Sequence, residues 1–547
     1  MKNFKIKNVS SLEKIFWDSE EHFFELSADN CFAGEIYSYQ IAFFADIPNN
    51  DRQFAEISID SPLLDLISVK EVAQVPCAFP SYENADNYLR TAPGFYPDCL
   101  KELKNNGLFF VAGRWNSLWI SIRTDGIPEG SYSIKTTLSY NDVNLVSCFT
   151  LNVAAAALPA LKIPITQWLH NDCIAQYHHA EIWSEPFFEI LENYIKKAVE
   201  YGINTLFTPL FTPALDTLVG QERLTCQLVR ITRCDKLYSF DFSLLDRWIE
   251  LGRKSNIKYF EFSHLLTQWG AKSAPKILAF VDGVETKIFG WETRGDSEEY
   301  LEFLKQFSSA LYSYIMENAL NECCFIHISD EPNEKDCRQY QIVSQIISQY
   351  MPRIPIIDAI SSYSLYKSGV ITHPVVAINH LKPFLDNHVP NLMTYYCCAQ
   401  SVSVPNRFIA QPSTRNRIFG ILCYKYALNG FLQWGYNFYN SRFSINPIDP
   451  YAVTDAEFSF PSGDPFSVYP TEKGCTESLR LVVFNEGLQD YRALCLLEAK
   501  CGREYALRFL TNTKRELSFD NYPQDISFFH EFKQSILKLI CGDYPQN

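Results

Sequence analysis

The sequence predicts a multidomain protein: an N-terminal antiparallel β-sandwich over residues 1–158, a (β/α)8 barrel of the TIM type over 159–474, and a C-terminal helical segment over 475–547 that packs on the barrel. Two patterns carry this expectation. Up to about residue 155 short runs alternate apolar with polar residues, the period of a strand with one buried face; beyond it, continuously apolar runs alternate with stretches whose apolar residues recur every three or four positions. A chain of 547 residues also exceeds what one ordinary core accommodates.

The first region is read from HFFELSADN, EIYSYQIAFFA, QFAEISI, DLISVKEV, SLWISIRT, SYSIKTTLSY and LVSCFTLNV, period-two runs separated by Asn, Asp, Gly and Pro and including the turn IPEGSY. AAAALPALKIP marks the boundary. Eight buried strands are then expected at 161–168, 203–210, 257–264, 323–329, 354–359, 374–379, 391–396 and 430–436. Helices are expected between them in PFFEILENYIKKAVEYG, DFSLLDRWIELGRKS, SEEYLEFLKQFSSALYSYIMENAL, DCRQYQIVSQIISQYM, the short LKPFLDN and NRIFGILCYKYAL. Continuous rather than alternating apolar strands are what a parallel barrel buried on both faces requires. TESLRLVVFNEGLQDYRALCLLEAK and FHEFKQSILKLI complete the chain as helices.

Composition excludes several classes. The net charge is -15 and no Lys or Arg run forms a polyanion track, so nucleic acid is not an expected partner. No window approaches the roughly 20 apolar residues of a membrane span, and MKNFKIKNVSSLEKIFWDSE lacks the apolar core of a signal peptide. The 17 cysteines are odd in number and irregularly spaced. The adjacent pairs Cys323-Cys324 and Cys397-Cys398 sit in strand-like runs, where neighbouring side chains point to opposite faces. Reduced thiols and a cytoplasmic location follow. Neither CxxC nor HExxH occurs, and no metal or other cofactor is expected; GxSxG and GxxxxGK[ST] are absent too. The sequence leaves oligomeric state open.

Reactive residues of such a barrel lie at the carboxyl ends of its strands. The fourth run, CCFIHIS, leads directly into Asp330 and Glu331. As a bare helix start the pair would suit a macrodipole, with Pro332 in the first turn. The other strand ends argue for a site: Gln167, Trp168, His170 and Asp172; Asp216; His264, Gln268 and Trp269; Asn379 and His380; Tyr395 and Tyr396; Trp434, Tyr436 and Asn437. Rings that stack on sugar faces and polar groups that bind hydroxyls resemble a saccharide pocket, so a small saccharide or glycoconjugate is the expected ligand.

Glycoside hydrolysis normally needs two carboxylates on opposite sides of the bond. Strand ends six to eight offer none, and Asp464 in PSGDPFSVYP is the main exception. Substrates carrying a 2-acetamido group remove the need for an enzymic nucleophile, because the acetamido oxygen attacks the anomeric carbon itself. Adjacent carboxyl groups suit that chemistry: Glu331 would protonate the glycosidic oxygen, its pKa raised by burial and by Asp330, while Asp330 would hold the acetamido N–H and stabilise the cationic intermediate.

WLHND, TPALDT, QLVRI, EFSHLLTQWGAKSAPKI, FGWET, FIHISDEP, GFLQWGYNFYN, GDPFSVYP and SLRLVVFNEGLQDYRAL closely resemble, in this order, bacterial proteins carrying the domain of unknown function 4091. That group is similar in turn to glycoside hydrolase family 123, retaining β-N-acetylgalactosaminidases with a sandwich, a barrel and an Asp-Glu pair that work by acetamido participation. The resemblance implies Asp330 as the acetamido-orienting residue and Glu331 as acid/base. It implies a retaining exo-acting β-N-acetylhexosaminidase, with galactosamine configuration favoured. Two alternatives stay open: a glycosidase of another sugar class using Asp464 or Asp172 as second carboxylate, and a non-catalytic carbohydrate-binding protein.

Overall fold

The computed structural model describes residues 3–47, 52–332, 337–369, 371–512 and 516–542. Alternation in the first region produces two five-stranded sheets. One runs Asn3–Ser10, Ile36–Asp46, Trp115–Arg123, Ile67–Cys77, Gly94–Glu102, all neighbours antiparallel. The other runs Ala28–Ala33, Val143–Ala157, Gly130–Tyr140, Arg52–Asp60, Gly107–Val111. Its first pair is parallel, a departure from the purely antiparallel expectation. Tyr39, Ile41, Leu118, Ile120, Leu138, Phe149 and Leu151 fill the space between the sheets.

Three of these strands escape the sequence patterns, Asn3–Ser10, Gly94–Glu102 and Gly107–Val111, and the run HFFELSADN pairs as a strand only from Ala28. Gly94–Glu102 carries Pro97, which cannot donate to a ladder, and it lies at a sheet edge where that costs nothing.

The second region forms one eight-stranded sheet: β1 (Ile165–Gln167), β2 (Thr205–Thr208), β3 (Tyr259–Phe262), β4 (Cys324–Ile326), β5 (Ile357–Ile360), β6 (His373–Ala377), β7 (Met393–Tyr395) and β8 (Phe431–Gln433). Every named pairing is parallel, in the order β4-β3-β2-β1-β8-β7-β6-β5. A single parallel bridge, Ile326 to Ile356, joins the two ends, so the barrel is nearly closed. Each strand lies within or overlaps an expected run but is shorter, because apolar burial continues after the ladder ends.

Along the chain α1 (Asn171–Tyr177) and α2 (Glu185–Glu200) follow β1, α3 (Ser243–Lys254) follows β2, α4 (Glu298–Glu317) β3, α5 (Cys337–Tyr350) β4, α6 (Tyr363–Lys367) β5, α7 (Lys382–Asp386) β6 and α8 (Ser413–Lys425) β7. Local chemistry sets the ends of α2: the Ser184 hydroxyl accepts from the Phe187 N–H, Pro186 occupies the first turn, and Gly202 at φ 83° leads the chain back to the sheet. The carboxyl-terminal part is helical, with α9 (Leu479–Cys501), α10 (Arg503–Thr511) and α11 (Ile526–Cys541). At the crossing of α8 and α9 a Cβ on Gly420 would fall 1.7 Å from the Gly487 carbonyl oxygen, so glycine there permits backbone contact.

Two hairpins were not anticipated. Arg230–Cys234 with Leu237–Asp241, inserted after β2, and Ile277–Val281 with Val284–Phe289, inserted after β3, join into a four-stranded sheet. The second turns at Asp282-Gly283, both at positive φ, the Asp-Gly signature of a tight hairpin. A further hairpin, Val468–Thr471 with Gly474–Glu477, precedes α9.

The outer face of the first sheet does not face water. Val72, Tyr96, Cys99, Leu100 and Trp119 belong to the same continuous apolar cluster as barrel and C-terminal residues such as Leu191, Phe303, Phe484 and Ile536. Arg480, at the start of α9, pairs with Asp98 through Nε (2.8 Å) and Nη2 (2.9 Å), and both side chains are buried.

Candidate active site

Three charged residues interrupt otherwise apolar strands in the barrel: Glu261 on β3, His327 just past β4 and Asp358 on β5, all buried. They pair with one another, with Glu261 Oε2 left without a partner among the described residues. His327 Nε2 meets Glu261 Oε1 at 2.5 Å and its Nδ1 meets Asp358 Oδ1 at 3.0 Å. Trp168 Nε1 donates to Glu261 (2.8 Å), and Tyr340 Oη donates to Asp358 (2.6 Å). Burial alone would lower the His327 pKa, but the two carboxylates outweigh it and raise it to about 10. His264 stacks on this ring at 4.3 Å, and burial with the His327 charge pushes it well down, so it is neutral.

His264, His327 and Asp358 bring three donor atoms within 4.8 Å of one another, but carboxylates engage both His327 nitrogens and the group reads as an ion-pair network. Because the folded His327 pKa lies above the ordinary value, its stabilisation is complete below about pH 6.5 and is lost as pH rises through about 10. Urea midpoints should therefore fall across that window, and His327→Gln should flatten the fall while lowering the midpoint at pH 6. Identical pH slopes in the two proteins would contradict the assignment.

Above this layer the loops after β3 and β4 clasp each other. Ser329 Oγ donates to the Thr267 carbonyl (2.8 Å) and the Trp269 N–H to the Asp330 carbonyl (3.0 Å). Glu331 then adopts φ 47°, and Asp216 (40°) and Trp269 (55°), on the same cavity, are also left-handed. A left-handed conformation costs a non-glycine residue about 1–3 kcal/mol. The turn at Glu331 lets both half-buried carboxyl groups line a single cavity.

Trp168, Trp269, Tyr395, Trp434 and Phe460 supply the rings of that cavity, and Asp216, Gln268, Asp330 and Glu331 its polar groups. Tyr395 Oη donates to Glu331 Oε1 at 2.6 Å. Burial and the adjacent Glu331 charge push the Asp330 carboxyl well above its ordinary value, against the pull of His327. Gln268 accepts from the Asp216 N–H through Oε1 (2.5 Å), and its buried Nε2 has no partner among the described residues, leaving a donor for a ligand. Burial raises Asp216 to about 6.

Of the residues singled out in the sequence, Trp168, Asp216, Gln268, Trp269, Asp330, Glu331, Tyr395 and Trp434 meet here. Asp464 lies directly behind, accepting from Trp434 Nε1 (3.1 Å) and Gln433 Nε2 (3.3 Å), and burial raises it to about 7. The others lie elsewhere. Arg223 binds both oxygens of Asp172 (2.6 and 2.7 Å) and reaches His170 Nδ1 (3.1 Å); it holds the Asp172 carboxyl below its ordinary range in spite of burial. Asn437 braces the His170 backbone, and His264 lies in the network below the cavity. Tyr436 donates to the Tyr194 carbonyl (3.0 Å), Tyr396 packs on Phe431, and Asn379 is exposed in the turn Ile378–His380.

Strand alternation explains why Tyr395 faces the cavity and Tyr396 the surrounding core. Arg407, buried and unseen from sequence, ties the rim together through Gln167 (2.6 Å), Gln433 (2.5 Å), the Gly435 carbonyl and the Asp464 carbonyl (3.2 Å). Glu261 and Asp358 were legible in principle, each being a lone acid inside an apolar strand.

A carboxyl pair at the rim of a parallel barrel, in a cavity walled by aromatic rings, fits a glycoside hydrolase, the class its family match shows. Residues 168–497 match the catalytic domain of glycoside hydrolase 123, and the chain belongs to that family. Its structure is similar to that of a family 123 glycoside hydrolase from Clostridium perfringens, studied for glycolipid glycan hydrolysis: TM-score 0.74, 15% identity, covering 98% of this chain and 97% of that one. A family 5 mannosidase from Rhizomucor miehei aligns with TM-score 0.36 and 12% identity over 61% of this chain and 95% of that one. No curated protein matches the chain. Among the described residues no helix is long and apolar enough to cross a membrane.

Proposed function

We propose that the protein is a retaining exo-β-N-acetylhexosaminidase, with terminal N-acetylgalactosamine favoured, that cleaves saccharides or glycoconjugates by participation of the substrate's acetamido group. The observation that carries this reading is the placement of Asp330 and Glu331 on one cavity with Tyr395 donating to Glu331. Burial and the adjacent carboxylate make Asp330 hold its proton more tightly than an ordinary aspartate does. An incoming acetamido N–H needs an acceptor, so binding favours ionised Asp330 and leaves the proton to Glu331.

Glu331 then protonates the departing glycosidic oxygen while the acetamido oxygen closes on the anomeric carbon. Asp330 stabilises the positive charge of the cyclic intermediate. Water, deprotonated by Glu331, opens that ring on the face the leaving group vacated, and configuration is retained.

The helices following the strands support a (β/α)8 barrel as the catalytic unit over 159–474, with a sandwich over 1–158 and a helical segment over 475–547. All 17 cysteines are free, which supports a reducing, cytoplasmic setting. Among the described residues Asp216 is the other carboxyl group lining the cavity and favours, as a second reading, a two-carboxylate glycosidase acting on sugars without an acetamido group. Aryl β-N-acetylgalactosaminide and aryl β-galactoside separate the two. Acetamido participation predicts turnover of the first alone and strong inhibition by a thiazoline mimic of the cyclised intermediate; hydrolysis of both with no thiazoline inhibition would overturn it.

A further inference from the structure

The adjacent cysteines Cys397 and Cys398 do not behave as a strand would make them. β7 ends at Tyr395, and the chain then turns: the Gln400 N–H donates to the Cys397 carbonyl (3.1 Å), and the Cys397 N–H donates to Gln400 Oε1 (2.8 Å). Asn406, fully buried, locks the turn through the carbonyls of Cys397 (2.9 Å) and Gln400 (2.7 Å). Both cysteines are half-buried and both line the sugar cavity, which corrects the expectation of one thiol on each face. The two residues are adjacent in the chain and share the wall of one cavity.

We propose that Cys397 and Cys398 form a vicinal dithiol site for trivalent arsenicals, a two-sulfur modification site whose occupation blocks the catalytic cavity. The donor count selects the ligand. A soft divalent cation prefers four donors, commonly three or more from protein; among the described residues the one such group with mutually close donor atoms is His264, His327 and Asp358, which excludes these thiols. An arsenical carrying one organic group needs two sulfurs and no more. The exchange is a condensation: an aryl arsenic dihydroxide and two thiols give a cyclic dithioarsenite and two waters, each thiol proton leaving with one hydroxide, with no oxidant. The neighbouring Cys398 and then burial push the Cys397 thiol well up, which this condensation tolerates and a thiolate-dependent alkylation does not.

The test treats the reduced full-length protein with phenylarsine oxide, removes the excess and challenges it with glutathione or dithiothreitol, reading intact mass and glycosidase turnover. One phenylarsenic group per chain is expected to survive glutathione, a monothiol, and to leave with dithiothreitol, turnover being lost and regained in step. Cys397→Ser and Cys398→Ser should each lose the glutathione-resistant adduct, whereas the double variant Cys323→Ser, Cys324→Ser keeps it, because Cys324 is buried within β4. Peptide mapping of the wild-type adduct locates the bridge even where a variant fails to fold. An adduct mapping to other cysteines, surviving in both single variants or absent from the wild type overturns the proposal.

Discussion

Replacing Glu331 with Gln is expected to lower kcat on a phenyl β-N-acetylgalactosaminide by about 10²–10⁴-fold, the span for losing a positioned proton donor and acceptor. The substitution keeps the volume, and the Tyr395 hydroxyl can still donate to the amide oxygen as it does to Oε1. KM and thermal stability should therefore change little. A dinitrophenyl leaving group departs without protonation, so the first chemical step should be largely spared with that substrate. Equal losses with both leaving groups, accompanied by a lower Tm, would assign Glu331 to the fold rather than the chemistry.

Asp330→Asn should cost about 10²–10³-fold in kcat, the scale of removing one preorganised electrostatic stabiliser. An amide of the same shape offers no charge to a cation developing beside it. The pH profile sharpens the test. Burial and Glu331 raise the Asp330 pKa, and activity needs Asp330 ionised, so wild-type turnover should fall as pH drops through that raised value. The variant should lack this acidic limb and bind the thiazoline mimic more weakly. An unchanged limb would mean that another group, Asp216 at about 6 being the nearest candidate on the cavity, sets it.

The barrel was legible because a parallel sheet covered on both faces needs strands that are apolar throughout, and the sequence holds eight such runs. Glycine and proline hid the sandwich edge at Gly94–Glu102, and the Asp282-Gly283 turn, although a hairpin signal, is overshadowed by the barrel runs on either side of it. Within the site, strand ends located the loops but not the direction of each side chain. Whether Tyr395 or Tyr396 faces the cavity depends on the residue at which the ladder stops, and composition does not encode that. Asp172 had the right position and the wrong partner: Arg223, 51 positions away, claims both its oxygens. Such long-range capture has no local signature. The ion-pair network under the cavity stayed unread for the opposite reason, since His327, Glu261 and Asp358 each looked like an isolated oddity.

The cluster that runs unbroken from Trp119 and Leu100 into α9 makes the hydrolytic unit non-portable. Cutting the chain at the sandwich boundary would leave the remaining fragment with a wet hydrocarbon surface and would strand the Arg480 guanidinium without its counter-charge, Asp98. Recombination or gene fusion must therefore carry both halves as one cassette.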